Sequence, residues 1–211
     1  MITIDYARTL YSANADSAHD FDHVLRVAQL ADQIAQAEGA DREIVRVAAL
    51  LHDIGLDQGR AGHEAAAALR AREILSNPSQ DYNAEFIEAV AHAIEAHRFR
   101  SGPTPRTLEA QVLFDADKLD SIGAIGIARA FAFGGWRGQK LWADVPSDYV
   151  DRMDGSEADP HEHTPVHEYV VKLSKIKDRM QTATGRAIAA QRHAFMVAFY
   201  EQLDREVKGA A

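Results

Sequence analysis

Apolar residues along this chain return every three or four positions. The runs Val27, Leu30 and Ile34, then Ile44, Val47, Ala48 and Leu51, then Ile87, Val90, Ala91 and Ile94 each mark one face of an α-helix. Val166, Tyr169, Val170 and Leu173 continue the pattern, as do Ile188, Phe195, Met196, Phe199 and Leu203. Period-two alternation bounded by turn residues is absent, so the fold class is all-α. Helices are predicted over 4–14, 19–38, 41–54, 62–76, 82–98 and 105–133, with room for a bend or split in the last. Gly39, Gly55 and the Gly102-Pro103 step with Pro105 supply the breaks. Between 134 and 165 glycine, proline and polar residues interrupt the pattern, which predicts a long loop or lid holding at most a short helix. Two helices, over 166–182 and 184–208, complete the chain. There is no internal repeat and no composition break, so a single domain over 1–211 is expected.

Composition removes several function classes. The chain has no cysteine, which excludes thiolate zinc fingers, iron–sulfur clusters, disulfides and cysteine nucleophiles. Lys plus Arg number 23 against 32 Asp plus Glu, a net charge of −9. That balance argues against a general affinity for nucleic acid, which needs a basic face. The first ten residues are polar and acidic where a signal peptide is basic and then apolar, and no stretch has the length of a membrane span. A cytoplasmic protein without a membrane or nucleic-acid partner is expected.

Histidine and carboxylate remain as metal donors, and the ten histidines are unevenly placed. His52-Asp53 closes the apolar run ending at Leu51, and neighbouring residues on a helix point about 100° apart, so both can reach an ion beside the last turn. His23 shares the face of Val27, Leu30 and Ile34 and points inward, where an unpaired ring costs free energy unless something binds it. Taken singly, an inward histidine is more often a hydrogen-bonded core residue, and a His-Asp pair at a helix end is common. Their combination carries more.

His23, then Leu50-Leu51-His52-Asp53-Ile54-Gly55, then Asp117 within Asp115-Ala116-Asp117-Lys118-Leu119-Asp120, resembles the HD superfamily of metal-dependent phosphohydrolases. His63-Glu64 is similar to a His-Glu motif that opens the next helix in nucleotide-hydrolysing members. The stretches 115–131 and 172–196 look like a subgroup of small bacterial HD hydrolases, so the resemblance spans essentially the whole chain. It implies a compact helical bundle with a metal-binding core over 19–133, a loop over 134–165 and C-terminal helices over 166–208. It also implies His23, His52, Asp53 and Asp117 as ligands of one divalent ion. Two imidazoles and two carboxylates cancel the charge of such an ion and leave positions for water and a phosphate oxygen. Without thiols the choice tilts to Mn²⁺ or Mg²⁺, with Fe²⁺, Co²⁺, Ni²⁺ and Zn²⁺ as alternatives.

Around that core the resemblance implies His63 and Glu64 as an acid–base pair, with Asp57 as a further carboxylate candidate. Lys118, next to the last ligand, is the strongest candidate for the substrate's charge, with Arg98, Arg100 and Arg129 as weaker ones. His92 and His97 are five apart, about 140° on a helix, and therefore do separate jobs; either could touch phosphate. Asp115 and Asp120 are uncertain ligands, and Asp120 reads better as a structural carboxylate. Trp136 and Trp142 read as loop anchors. His161, His163 and His167 read as an exposed, solvated segment outside the site. The favoured reaction is hydrolysis of a nucleoside or deoxynucleoside triphosphate to monophosphate and pyrophosphate. A nucleotide phosphomonoesterase, a cyclic or signalling-nucleotide phosphodiesterase and a silent nucleotide-binding module are the alternatives. Helical enzymes of this size often dimerise, but no heptad specifies an interface, and a homodimer stays open.

Overall fold

The computed structural model describes residues 1–11, 21–55, 62–98, 103–149 and 163–210. Among them every regular element is helical. In chain order these are α1 Ile4–Thr9, α2 Phe21–Glu38, α3 Arg42–Leu51, α4 His63–Leu75, α5 Ala84–Glu95, α6 Leu108–Leu119, α7 Gly123–Trp136, α8 Pro165–Val171 and α9 Ala183–Val207, with 3₁₀ turns at Pro78–Gln80 and Leu173–Arg179. No described helix is long and apolar enough to cross a membrane. The chain divides into two compact units, Met1–Asp117 with Gln181–Gly185, and Lys118–Met180 with Arg186–Ala211.

In the first unit, polar caps set where helices begin. Asp41 accepts the amides of Glu43 and Ile44 to start α3, and Asn83 accepts that of Phe86 to start α5. The predicted apolar stripes then meet, α3 packing on α2 and on α5, and α4 on α5. Val27, Ile34, Val47, Leu51, Val90 and Ile94 are fully buried there. Burying each such side chain is worth about 1.5–3 kcal/mol, so this contact sets the helix positions. The same unit fastens the start of α9 to α6. Asp115, fully buried, accepts the amides of Gln181 and Thr182, both at 2.8 Å, and the Thr182 hydroxyl at 2.7 Å. Gly185 is needed beside it, because a Cβ would stand 2.1 Å from Asp115 Oδ2.

The second unit contains α7, α8 and most of α9. The helix predicted over 105–133 is split at Asp120-Ser121-Ile122. Ser121 donates its hydroxyl to the Lys118 carbonyl at 2.6 Å, and Gly123 takes a left-handed φ of 76°. The helix predicted over 166–182 is a single α-helical stretch only to Val171, then tightens into the 3₁₀ turn Leu173–Arg179, with Lys172 at φ −131° between them. Tyr169 stacks on Tyr200 with centroids 4.1 Å apart, joining α8 to α9. Trp136 is the last residue of α7 and is 70% exposed, not packed as an anchor.

His163 and His167 correct the expectation of a solvated segment. His167 is 3% exposed and closes the N-terminus of α8, its Nδ1 lying 2.8 Å from the Thr164 hydroxyl. His163 lies between the Tyr149 hydroxyl at 2.9 Å and Glu168 at 3.1 Å. These rings are taken up in the packing of a helix end. His161 lies outside the described residues.

Candidate metal centre

The site is built from helix ends in the first unit. Apolar periodicity carries α3 to Leu51, and its last carbonyls are then taken by side chains: the Tyr11 hydroxyl donates to the Leu50 carbonyl at 2.9 Å, and His52 Nδ1 donates to that of Ala49 at 2.8 Å. His52-Asp53 therefore stands in the turn just beyond the helix, not inside the predicted 41–54 helix. The end of α5 repeats the device. His97, two residues past Glu95, donates from Nδ1 to the Ile94 carbonyl at 2.5 Å. In both histidines the bond made by Nδ1 leaves Nε2 as the nitrogen with a lone pair to offer.

Those nitrogens converge on Asp53, which is 5% exposed. Its Oδ2 lies 3.4 Å from His52 Nε2 and 3.8 Å from His23 Nε2, and its Oδ1 lies 3.4 Å from His63 Nε2 and 3.7 Å from His97 Nε2. His23 Nε2 is also 3.4 Å from Oδ1 of Asp117, in the last turn of α6. Neighbouring donors on an octahedral ion with bonds near 2.1 Å stand about 3 Å apart, so this spacing is close to that of a coordination shell. Two donor groups result, His23 with His52 and Asp53, and Asp53 with His63 and His97.

His52 decides the chemistry. It is fully buried, and its Nε2 has no hydrogen-bond partner. A buried, unsatisfied ring nitrogen facing a carboxylate is costly as a structural feature and natural as a ligand. Burial works against a proton on His52, but the charge of Asp53 outweighs it and raises the pKa to about 9. For Asp53 burial pushes upward, and the charge of His52 with its neighbouring histidines drives the pKa well below the usual carboxylate range. A cation at this position would take the place of the His52 proton.

Beyond the ring of donors, Glu64 in the first turn of α4 is 5% exposed and lies 3.4 Å from His63 Nδ1. Arg98 places one guanidinium nitrogen 3.1 and 3.3 Å from the two Glu64 oxygens. A carboxylate, an imidazole, a second carboxylate and a guanidinium thus follow one another from Asp53 outward. The sequence singles out His63-Glu64 and ranks Arg98 lower; the structure places Arg98 on Glu64.

Other candidates lie elsewhere. His92 accepts the Arg106 amide on its Nε2 at 3.1 Å and belongs to neither donor group. Asp115 is occupied at the start of α9, and the Asp120 carboxylate is held by Arg129 at 2.8 Å. Lys118 is half-buried in the last turn of α6, one residue after Asp117. Asp57 and Arg100 lie outside the described residues. Tyr11 and its bond to α3 had no signal in the sequence, since it belongs to no motif.

Residues 20–122 match the HD domain family. Over 198 residues, 92% of the chain, the protein is 35% identical to YpgQ of Bacillus subtilis, of which the match covers 86%. The chain belongs to the HD superfamily. The HD fold is shared with the crystal structure of Bacillus subtilis YpgQ in complex with ADP, at 32% identity and a TM-score of 0.75 over 99% of this chain and 100% of that one. It is shared too with an HD-superfamily hydrolase from Bacillus thuringiensis, at 29% identity and a TM-score of 0.71 over 97% and 94% of the two chains. HD domains bind a divalent metal, and the buried His/Asp group with its orphaned His52 nitrogen fits one.

Proposed function

We propose that this protein is a divalent-metal-dependent phosphohydrolase of nucleotides, converting a nucleoside or deoxynucleoside triphosphate to monophosphate and pyrophosphate. The observation that carries the reading is the buried set His23, His52 and Asp53 with the partly buried Asp117 beside it, and His52 Nε2 left without a hydrogen bond. The ADP complex of the similar Bacillus subtilis YpgQ supports a nucleotide as the ligand. Mn²⁺ or Mg²⁺ suits a donor set of imidazoles and carboxylates without thiolate. When bound, such an ion supplies an acidified water and offsets charge on the phosphoryl oxygens.

The protein's own groups account for the remaining needs. His63 stands between Asp53 and Glu64, so a proton on Nδ1 is held toward Glu64 while Nε2 faces the reacting region. Arg98 holds the Glu64 carboxylate in place. His97 has its Nε2 on the same Asp53 oxygen as His63, and Lys118 adds positive charge beside Asp117. The donor group of Asp53, His63 and His97 favours a second reading, in which a further ion sits at Oδ1 and these histidines are ligands.

The test is incubation of metal-stripped protein with Mn²⁺ and a panel of nucleoside tri-, di- and monophosphates, followed by ³¹P NMR. Pyrophosphate with a nucleoside monophosphate is expected. Orthophosphate or tripolyphosphate would move the bond that is cut, and nucleotide binding without any product would overturn the enzymatic reading.

A further inference from the structure

We propose that Tyr11 is a positioning residue of the metal centre, holding the His52-Asp53 turn in its ligating geometry; this rests on the metal reading above. Tyr11 follows α1, belongs to no ligand motif, and takes no part in the chemistry assigned so far. Its hydroxyl donates to the Leu50 carbonyl at 2.9 Å and lies close enough to Asp53 to feel its charge. The bond ties Tyr11 to the last turn of α3, directly ahead of the ligating dipeptide. The ring packs edge-on against Phe21, with centroids 5.3 Å apart, and Phe21 opens α2 two residues before His23. A single side chain thus touches both segments that supply the imidazoles and carboxylate of the first donor group.

Water cannot easily take over this bond. Leu50, Leu51 and His52 are at most 1% exposed, so the Leu50 carbonyl, once released, would lack a partner. The turn is held from its other end by Arg70, which donates to the Ile54 carbonyl at 2.7 Å. Between these two anchors the backbone of His52 and Asp53 has little freedom, and donor positions must be kept to a few tenths of an ångström for a metal to discriminate them.

Removing only the hydroxyl separates positioning from packing. Tyr11→Phe keeps the ring against Phe21 and deletes the bond to Leu50 at the turn. Tyr82→Phe is the control: the Tyr82 hydroxyl accepts the Ile2 amide at 3.2 Å and donates to Glu43 at 3.3 Å, so it too bonds backbone, but at Ile2, ahead of α1, and at Glu43 in the first turn of α3, both outside the donor groups. Mn²⁺ affinity is read by calorimetry and by the EPR spectrum of the bound ion, and metal-free thermal melts report folding. About ten-fold weaker Mn²⁺ binding with an altered EPR spectrum is expected for Tyr11→Phe, against unchanged affinity for Tyr82→Phe. Wild-type affinity and spectrum in Tyr11→Phe, even with a lowered melting temperature, would overturn the proposal and leave the metal reading standing. No Mn²⁺ binding by the wild type would overturn the metal reading itself, and this inference with it.

Discussion

His52 Nε2 lies 3.4 Å from Asp53 Oδ2, a buried ring nitrogen without a hydrogen bond facing a buried carboxylate. That pair sets the first expectation. Asp53→Ala removes the carboxylate shared by both donor groups, so Mn²⁺ should no longer raise the melting temperature. For the wild type at a hundred-fold excess over its dissociation constant, binding adds about 2.7 kcal/mol, which is about 5–10 °C for a chain of this size. Differential scanning fluorimetry with and without Mn²⁺ measures both. Since the pKa of His52 is raised to about 9 and a ligand must lose its proton, the Mn²⁺ effect should grow as pH rises from 6 to 8. An equal metal shift in Asp53→Ala would remove Asp53 from the site.

His63 faces the other Asp53 oxygen, and its role depends on what sits there. If it is the proton-transfer group, His63→Ala should keep one Mn²⁺ per chain in equilibrium dialysis while turnover falls by about 10²–10⁴-fold. His23→Ala should lose the ion. A wild-type stoichiometry of two that drops to one in His63→Ala would instead establish the second donor group as a metal site.

Much of this arrangement can be read from the residues alone, and the reasons for the rest are physical. Helix periodicity gives α2, α3 and α5, because their apolar stripes are the surfaces that pack. The His-Asp dipeptide and the residues around it carry the family resemblance. The end of α3 is different: Tyr11 and His52 take carbonyls that a longer helix would have used, and neither bond has a local signature. The same holds for His92 and His97, which no spacing rule ranks. Their roles follow from α5 stopping at Glu95, which turns His97 back onto Ile94 and leaves His92 to the Arg106 amide. His167 looked solvated beside its acidic neighbours because a capping box with histidine at its third position is an unusual pattern.

Asp115 separates structure from ligation, two residues before Asp117 on the same helix. Its carboxylate accepts two backbone amides and a hydroxyl, all at 2.7–2.8 Å and out of water. Asp115→Ala should therefore cost about 2–4 kcal/mol by stranding buried amides, while Mn²⁺ affinity stays within about two-fold. Urea melts and calorimetry on the same preparation decide it. Lost metal binding in a folded variant would make Asp115 part of the centre.

Glu168 on α8 carries the acid dependence of the second unit. Burial raises its pKa, but the hydrogen bond with His163 and the Lys172 ammonium at 2.8 Å prevail and bring it down to about 2. A carboxylate with a lowered folded pKa contributes stability above its ordinary value near 4.5, and that contribution is lost as pH falls toward 2. Because 31% of the side chain is exposed, solvent screening limits the effect to about 1–2 kcal/mol at pH 7. Glu168→Gln should therefore melt below the wild type at pH 7, and the gap should narrow steadily from pH 4.5 to pH 3. A gap independent of pH would mean that packing, not charge, is what Glu168 contributes between His163 and Lys172.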